Sequence, residues 1–347
     1  MFISLILGCI IYSKAVYNAV NTALERCVLI IIPSLFAFMA ISRMMIRTGA
    51  ADFIFKMFDK IFQILLGLPK GCAAVFIISN IAGYPVGCSM LKEKIDLGLT
   101  DKRSAEAMSI YCYGAGPAFL INAVGAGIFG STRIGLIIFL SVISANAVLA
   151  AIINRIYDLH IEPDRIRSSG SDFSEALVSS VTSSGEDIIK MCSVIVFLSA
   201  VIAVNDSYGI TSCVSDIFGL SDNSLLIFKS LFEITNINGI SRNAYNTLPY
   251  LGAVCGFGGL SVIMQIKSVI GKSFNLKLFF KWMPVKMILC FLFTKLYIML
   301  IFDNYIPAFA RSYDIIVRID NLIPSICLIM MIFILLFQKG LDFLKRV

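Results

Sequence analysis

Charge-free stretches long enough to cross a lipid bilayer limit this chain more than any other feature. Neither Gly71–Leu91 nor Ala107–Thr132 contains a charged residue, and about 20 apolar residues let a helix span the hydrocarbon core. Hydrophobic residues make up 58% of the chain and charged residues 15%, with a mean hydropathy of +0.88. A soluble domain holds roughly 45–50% and about 25%. Period-2 alternation of apolar and polar residues is absent, which argues against a barrel. The sequence therefore reads as an all-α polytopic membrane protein whose surroundings are the lipid bilayer. The formal charge of +7 reflects cytoplasmic loops, not nucleic-acid binding.

Apolar spans are expected at Cys27–Ile46, Ile134–Ile153, Met191–Asn205, Met283–Phe302 and Asn321–Gln338. The apolar N-terminus, residues 1–22, lacks a basic leader and reads as a first span or anchor. Cys9, Cys72, Cys112, Cys192, Cys255, Cys290 and Cys327 fall inside apolar segments without zinc spacing, so they read as reduced, small apolar residues. The polar stretch Asp158–Asp187 reads as a cytoplasmic linker, with Phe173–Val181 as an interfacial helix inside it.

Three apolar segments are interrupted: Gly71–Leu91 by GYPVG, Ala107–Thr132 by GAGP and Asn243–Ile266 by GFGG. Ser224–Asn246 is short and polar in its middle, at ITNING. Lysine and arginine set the orientation. Lys339, Lys345 and Arg346 place the C-terminus inside, and Asp303–Asp320 outside. Arg43, Arg47, Lys56 and Lys60 mark an inside loop, as do Lys92, Lys94, Lys102 and Arg103, and later Lys267, Lys272, Lys277 and Lys281. The count closes only if Gly71–Leu91 and Ser224–Asn246 enter and leave by the same face, as re-entrant hairpins. Each half then contains a span, an interfacial stretch, a hairpin, a Gly-broken span and a closing span, in opposite orientations. That is an inverted-topology repeat with re-entrant hairpins and unwound transmembrane helices. The expected organisation is 1–22 N-terminal span, 23–157 first repeat, 158–187 linker, 188–302 second repeat, and 303–347 loop, last helix and basic tail.

A broken helix leaves free N–H groups at one stump and free C=O groups at the other. In lipid each unsatisfied group costs several kcal/mol, so the breaks are expected to line a polar cavity. Candidate binding residues are Asn80, Tyr84 and Ser89 in the first hairpin and Tyr113, Gly114, Gly116 and Asn122 at the first break. Glu233, Thr235, Asn236, Asn238 and Ser241 follow in the second hairpin, and Gly256, Gly258, Ser261 and Gln265 at the second break. For each amide the competing explanation is a helix–helix hydrogen bond worth about 1 kcal/mol or less. Glu233, an acid in LLIFKSLFEITNI, either binds a coupling cation, carries a proton or contacts substrate, or else pairs with Lys229 at i,i+4 spacing.

GYPVG with LKEKIDLGLTDKRSAEAMSIYCYGAGPAFLINAVG, and FEITNINGIS with GFGGLSVIMQI, resemble the sporulation integral membrane proteins of the YlbJ/SpoVV type. These belong to the nucleoside-recognition (Gate) domain family and are similar to concentrative nucleoside transporters. The similarity runs roughly from Ala23 to Ile301. It implies a carrier in the outer forespore membrane, moving the small anion dipicolinate from mother cell to forespore, alone, as a homo-oligomer or with other sporulation membrane proteins. It also implies a substrate site lined by Asn80–Ser89, Gly114–Pro117, Glu233–Ser241 and Gly256–Ser261. That family often carries a Ser/Asn-rich run before the first Gly-break; here the run is SIYCYGAGP, and Tyr111 and Tyr113 suit a planar aromatic anion. No cofactor is expected beyond a coupling Na+ or proton, and export down a synthesis gradient needs neither. Rival readings are a nucleoside-type carrier and a non-transporting sporulation scaffold. HExxH, GxGD and GxSGxxxG are absent and the one histidine, His160, lies in the linker, so no enzymatic activity and no metal site are expected.

Overall fold

The computed structural model describes residues 2–157, 159 and 173–302, and the described part is a unit ending at Ile301. The expected span Asn321–Gln338, the loop Asp303–Asp320, the basic tail, Arg165, Arg167 and His160 lie outside the described residues. Among those residues there are helices and turns and no strand.

The N-terminal helix α1 (Phe2–Ile11) meets α2 (Ser13–Arg26) at a bend of 93°. The chain stays helical from Ser13 through a π-turn at Cys27–Ile31 into α3 (Ile32–Arg47). The boundary expected at residue 22 therefore falls inside a helix. Next come α4 (Ala50–Leu66), α5 (Ala73–Ala82), α6 (Tyr84–Asp96) and α7 (Lys102–Met108). After a non-helical stretch, a π-helix runs over Ala118–Ile128 and leads into α8 (Thr132–Tyr157).

The second half begins with α9 (Phe173–Ser207), a continuous helix of 35 residues. From Phe173 onward the expected linker is thus part of a long helix, not a loop with a short interfacial piece. Then follow α10 (Ile210–Phe218), α11 (Asp222–Ser230), 3-10 turns at Ile234–Gly239 and Tyr245–Thr247, α12 (Leu248–Phe257), α13 (Gly259–Ile270) and α14 (Lys277–Phe302).

The order of elements recurs. Amphipathic α4 is bracketed by Gly49 and Gly67 in left-handed conformation, and α10 by Gly209 and Gly219. Each is followed by a folded-back hairpin, a broken segment and a 26-residue helix, α8 in one half and α14 in the other. Local signals fix several ends. Asp101 caps α7 by accepting from the N–H groups of Arg103 and Ser104, and Ser221 caps α11 through the Ser224 N–H. Asp101→Ala should cost about 1 kcal/mol, read as a lower melting temperature of the purified protein; an unchanged value would show that α7 is held by packing alone.

Four helices are long and apolar enough to cross a membrane, or five if α1 with the following helix counts as one. They differ in burial. The broken segment Tyr245–Ile270 has 67% of its apolar window buried, whereas continuous α14 has 17% and α9 28%. Nearly all of α5 and α6 is buried as well. The core is built from α5, α6, the broken segment Tyr245–Ile270 and one face of continuous α8, whose window is 50% buried, while α9 and α14 lie at the periphery with Ile288, Leu292, Leu300 and Phe197 exposed. That distribution suits a chain whose outer solvent is lipid.

At one end of this core, α3, α6 and α9 are joined by charge. Buried Arg43 pairs with buried Asp187 and donates through Nε to Ser89 Oγ at 3.0 Å. Arg47 grips Glu93 with Nε at 2.5 Å and Nη2 at 3.3 Å. Lys94 donates to the Gly71 carbonyl at 2.9 Å and lies 3.5 Å from Asp52. Arg43 and Arg47, read from sequence as markers of a loop, are helical residues engaged in ion pairs.

Candidate functional site

Both expected hairpins fold back on themselves. The first turns at Gly83, whose φ of 102° and ψ of 179° suit glycine alone. Past the turn, a Cβ placed on Gly87 of α6 would stand 2.6 Å from the Ser79 Cβ of α5. Residues four before and four after Gly83 therefore face each other. In the second hairpin α11 turns at Leu231–Glu233, and the 3-10 segment runs back along it. Asn236 Nδ2 donates to the Lys229 carbonyl at 3.2 Å, Gly239 lies against Leu226, and the Ser241 N–H donates to Asn223 Oδ1 at 3.0 Å.

The breaks meet one another. Gly83 packs on Gly116, where a Cβ would stand 3.0 Å from the Ile81 carbonyl oxygen. Tyr84 donates to the Cys255 carbonyl at 2.6 Å, and Tyr113 donates to the Phe257 carbonyl. Their rings lie 4.9 Å apart, over Gly258, where a Cβ would come within 2.8 Å of the Tyr84 ring. At the start of α13 the N–H groups of Leu260 and Ser261 donate to the carbonyls of Leu231 and Phe232, at 2.8 and 2.9 Å. The expected free stumps are therefore met by groups of the protein itself. Carbonyls of the second break take tyrosine hydroxyls from the first half, and its N–H groups take carbonyls from the second hairpin.

Side chains complete the junction. Asn80 Nδ2 donates to the Phe76 carbonyl at 2.7 Å, and Asn80 Oδ1 accepts from Asn146 Nδ2 at 2.8 Å. The same Asn146 nitrogen donates to the Tyr113 carbonyl at 3.0 Å, while Asn146 Oδ1 is buried without a partner. Gly114 packs against Val142 and Asn146, and Gly256 against Cys290. Buried Gln265 donates to buried Ser261 Oγ at 3.1 Å.

Glu233 sits beside the second hairpin turn. Its Oε1 accepts from the Thr235 N–H and hydroxyl at 3.3 and 3.2 Å, and Arg26 donates to that hydroxyl at 2.8 Å. Its Oε2 is buried and unpartnered. The alternative partner, Lys229, lies on Asp206 at 3.1 Å instead.

Asn80, Tyr84, Tyr113, Gly114, Gly116, Gly256, Gly258, Ser261 and Gln265 thus lie at or against the junction, with Glu233 and Thr235 next to the turn that caps α13. Ser89 belongs instead to the Arg43–Asp187 ion pair. Asn122, Asn238 and Ser241 are exposed, and Asn236 braces its own hairpin. Two residues of the junction escaped the sequence reading, Asn146 in ISANAVLA and Lys286 in MPVKMILC. Lys286 carried a usable signal, a basic residue inside an apolar span, which it shares with Lys295. Among the described residues no group of three or more His, Cys, Asp and Glu is placed to hold a metal. Compared with known proteins, the chain matches no family model, no curated protein and no solved structure.

Proposed function

We propose that this protein is a multi-spanning membrane carrier for a small planar anion or heterocycle of the dipicolinate kind, working by alternating access between two inverted halves. The observation that carries the reading is the meeting of the helix breaks, with hydrogen bonds passing between halves from Tyr84 and Tyr113 to the carbonyls of Cys255 and Phe257. Neutral hydrogen bonds of this type are worth about 0.5–1.5 kcal/mol net. A substrate that offers its own donors and acceptors can replace them at little cost. Two tyrosine rings at the same place supply a stacking surface. Glu233, with one carboxylate oxygen unpartnered, is the candidate for a coupling proton or cation. The resemblance to YlbJ-type sporulation proteins supports dipicolinate and the outer forespore membrane. A nucleoside carrier is the alternative, since amides and aromatic rings serve a base equally well.

Proteoliposomes loaded in parallel with dipicolinate and uridine decide between them. Flux of the first alone supports the proposal, flux of the second alone moves it to the alternative, and flux of neither removes the carrier reading. Glu233→Gln should lower the flux about tenfold, equivalent to ~1.4 kcal/mol at the rate-limiting step, without changing the melting temperature. Full flux in that variant would exclude Glu233 from the cycle.

A further inference from the structure

The non-helical stretch between α7 and the π-helix exposes carbonyl groups that no helical N–H can reach. Two nitrogens from neighbouring helices meet them. Lys286, on α14, is fully buried, and its Nζ donates to the Ile110 carbonyl at 3.0 Å and to the Tyr113 carbonyl. The same Nζ lies 4.6 Å from the centre of the Tyr113 ring. Two carbonyls and a ring face match the three donors of an ammonium group. Asn146 also donates its amide nitrogen to the Tyr113 carbonyl, at 3.0 Å. Among the described residues no carboxylate forms an ion pair with Lys286.

A lysine buried in a membrane span without a carboxylate partner is costly and calls for an explanation. Here the surroundings resemble the oxygen-rich setting in which unwound transmembrane helices hold a coupling cation: main-chain carbonyls pointing at one place with no acid among them. The difference is that the positive charge is tethered to the chain. We propose that Lys286 is the built-in cation of the first break: its ammonium group takes the place at the Ile110 and Tyr113 carbonyls that Na+ would otherwise fill, so the protein neither needs nor binds Na+ there. On the carrier reading, which this consequence rests on, no Na+ is carried at the first break, leaving Glu233 or the substrate gradient alone to supply the driving force.

The test is the thermal melting of the full chain in lipid nanodiscs, followed by the fluorescence of the single tryptophan, Trp282, one turn from Lys286. Solutions of NaCl, KCl and choline chloride at equal ionic strength are compared. The unmodified protein should melt at the same temperature in all three, within about 1 °C. Lys286→Ala should melt about 5 °C or more lower in choline, as expected for carbonyls stripped of a buried partner, and recover part of that loss in NaCl. Lys286→Arg should keep the charge and stay indifferent to the salt. A melting temperature that rises by several degrees in NaCl, and still does so when Glu233→Gln removes the other candidate cation site, overturns the proposal. So does an alanine variant that melts like its parent, or equally low in all three salts. If the alanine variant does not fold, the unmodified protein and the arginine variant still decide. No flux enters this experiment, so a failed carrier reading leaves the result standing, and a dipicolinate carrier stabilised by Na+ with or without Glu233 sinks only the lysine assignment.

Discussion

Asp187→Ala should destabilise the protein by about 3–5 kcal/mol, the usual cost of leaving one charge of a buried pair alone. Arg43 and Asp187 have side chains 1% and 3% exposed, so water cannot replace either partner. The two single variants should differ. Asp187→Ala leaves Arg43 the Ser89 hydroxyl alone among the described residues, whereas Arg43→Ala leaves Asp187 its contact with Lys190 at 3.0 Å. The loss of Asp187 is therefore expected to be the worse of the two, with a melting temperature lower by roughly 6 °C or more. A double change to Arg43→Met and Asp187→Leu should recover most of the stability, because apolar residues of similar volume remove both desolvation costs together. Equal melting of all four proteins would show that this end of the core is already hydrated.

Gly87→Ala should open the first hairpin. A Cβ at Gly87 would collide with the Cys112 carbonyl oxygen as well as crowd the Ser79 Cβ. The first obstacle is main chain and cannot rotate away. Overpacking usually costs about 1–3 kcal/mol, and more when backbone must move. Gly98→Ala is the comparison: its φ is +70°, but nothing lies within 4 Å, so only the left-handed strain of about 1–2 kcal/mol applies. Thiol labelling reads the difference directly. Cys88 and Cys112 are fully buried and should stay unlabelled in the parent and in Gly98→Ala, yet react in Gly87→Ala, with the sites mapped by mass spectrometry. Protection of both thiols in Gly87→Ala would mean that the hairpin tolerates a wider separation than the packing suggests.

The places where the chain breaks were legible because glycine and proline are loud against an apolar background. GYPVG, GAGP and GFGG each coincide with an interruption, at Gly83, before the π-helix and at Gly258. What fills the breaks was not legible. Sequence gives the stumps but not the tyrosine hydroxyls and carbonyls that reach them from distant segments, such as Tyr113 and Phe257. The first turns of α9 were misread for a related reason. SSVTSSGED is poor in strong helix formers, and its Ser180, Ser184 and Asp187 are buried on one face of the helix. A reading that equates polar with exposed places them in a loop. Lys286 was hidden by its neighbours, since Lys277 and Lys281 drew the eye to an expected loop, although both belong to the same helix.

The caps at the helix breaks are supplied across the molecule. Tyr84 and Tyr113 hold carbonyls of the second break, and the second hairpin turn holds the N–H groups of α13. Releasing one of these contacts alone, with no other partner to replace it, would leave a buried peptide group unpaired at about 1–3 kcal/mol. The cost of parting therefore falls on the junction as a whole: its clasps favour letting go together over letting go one by one.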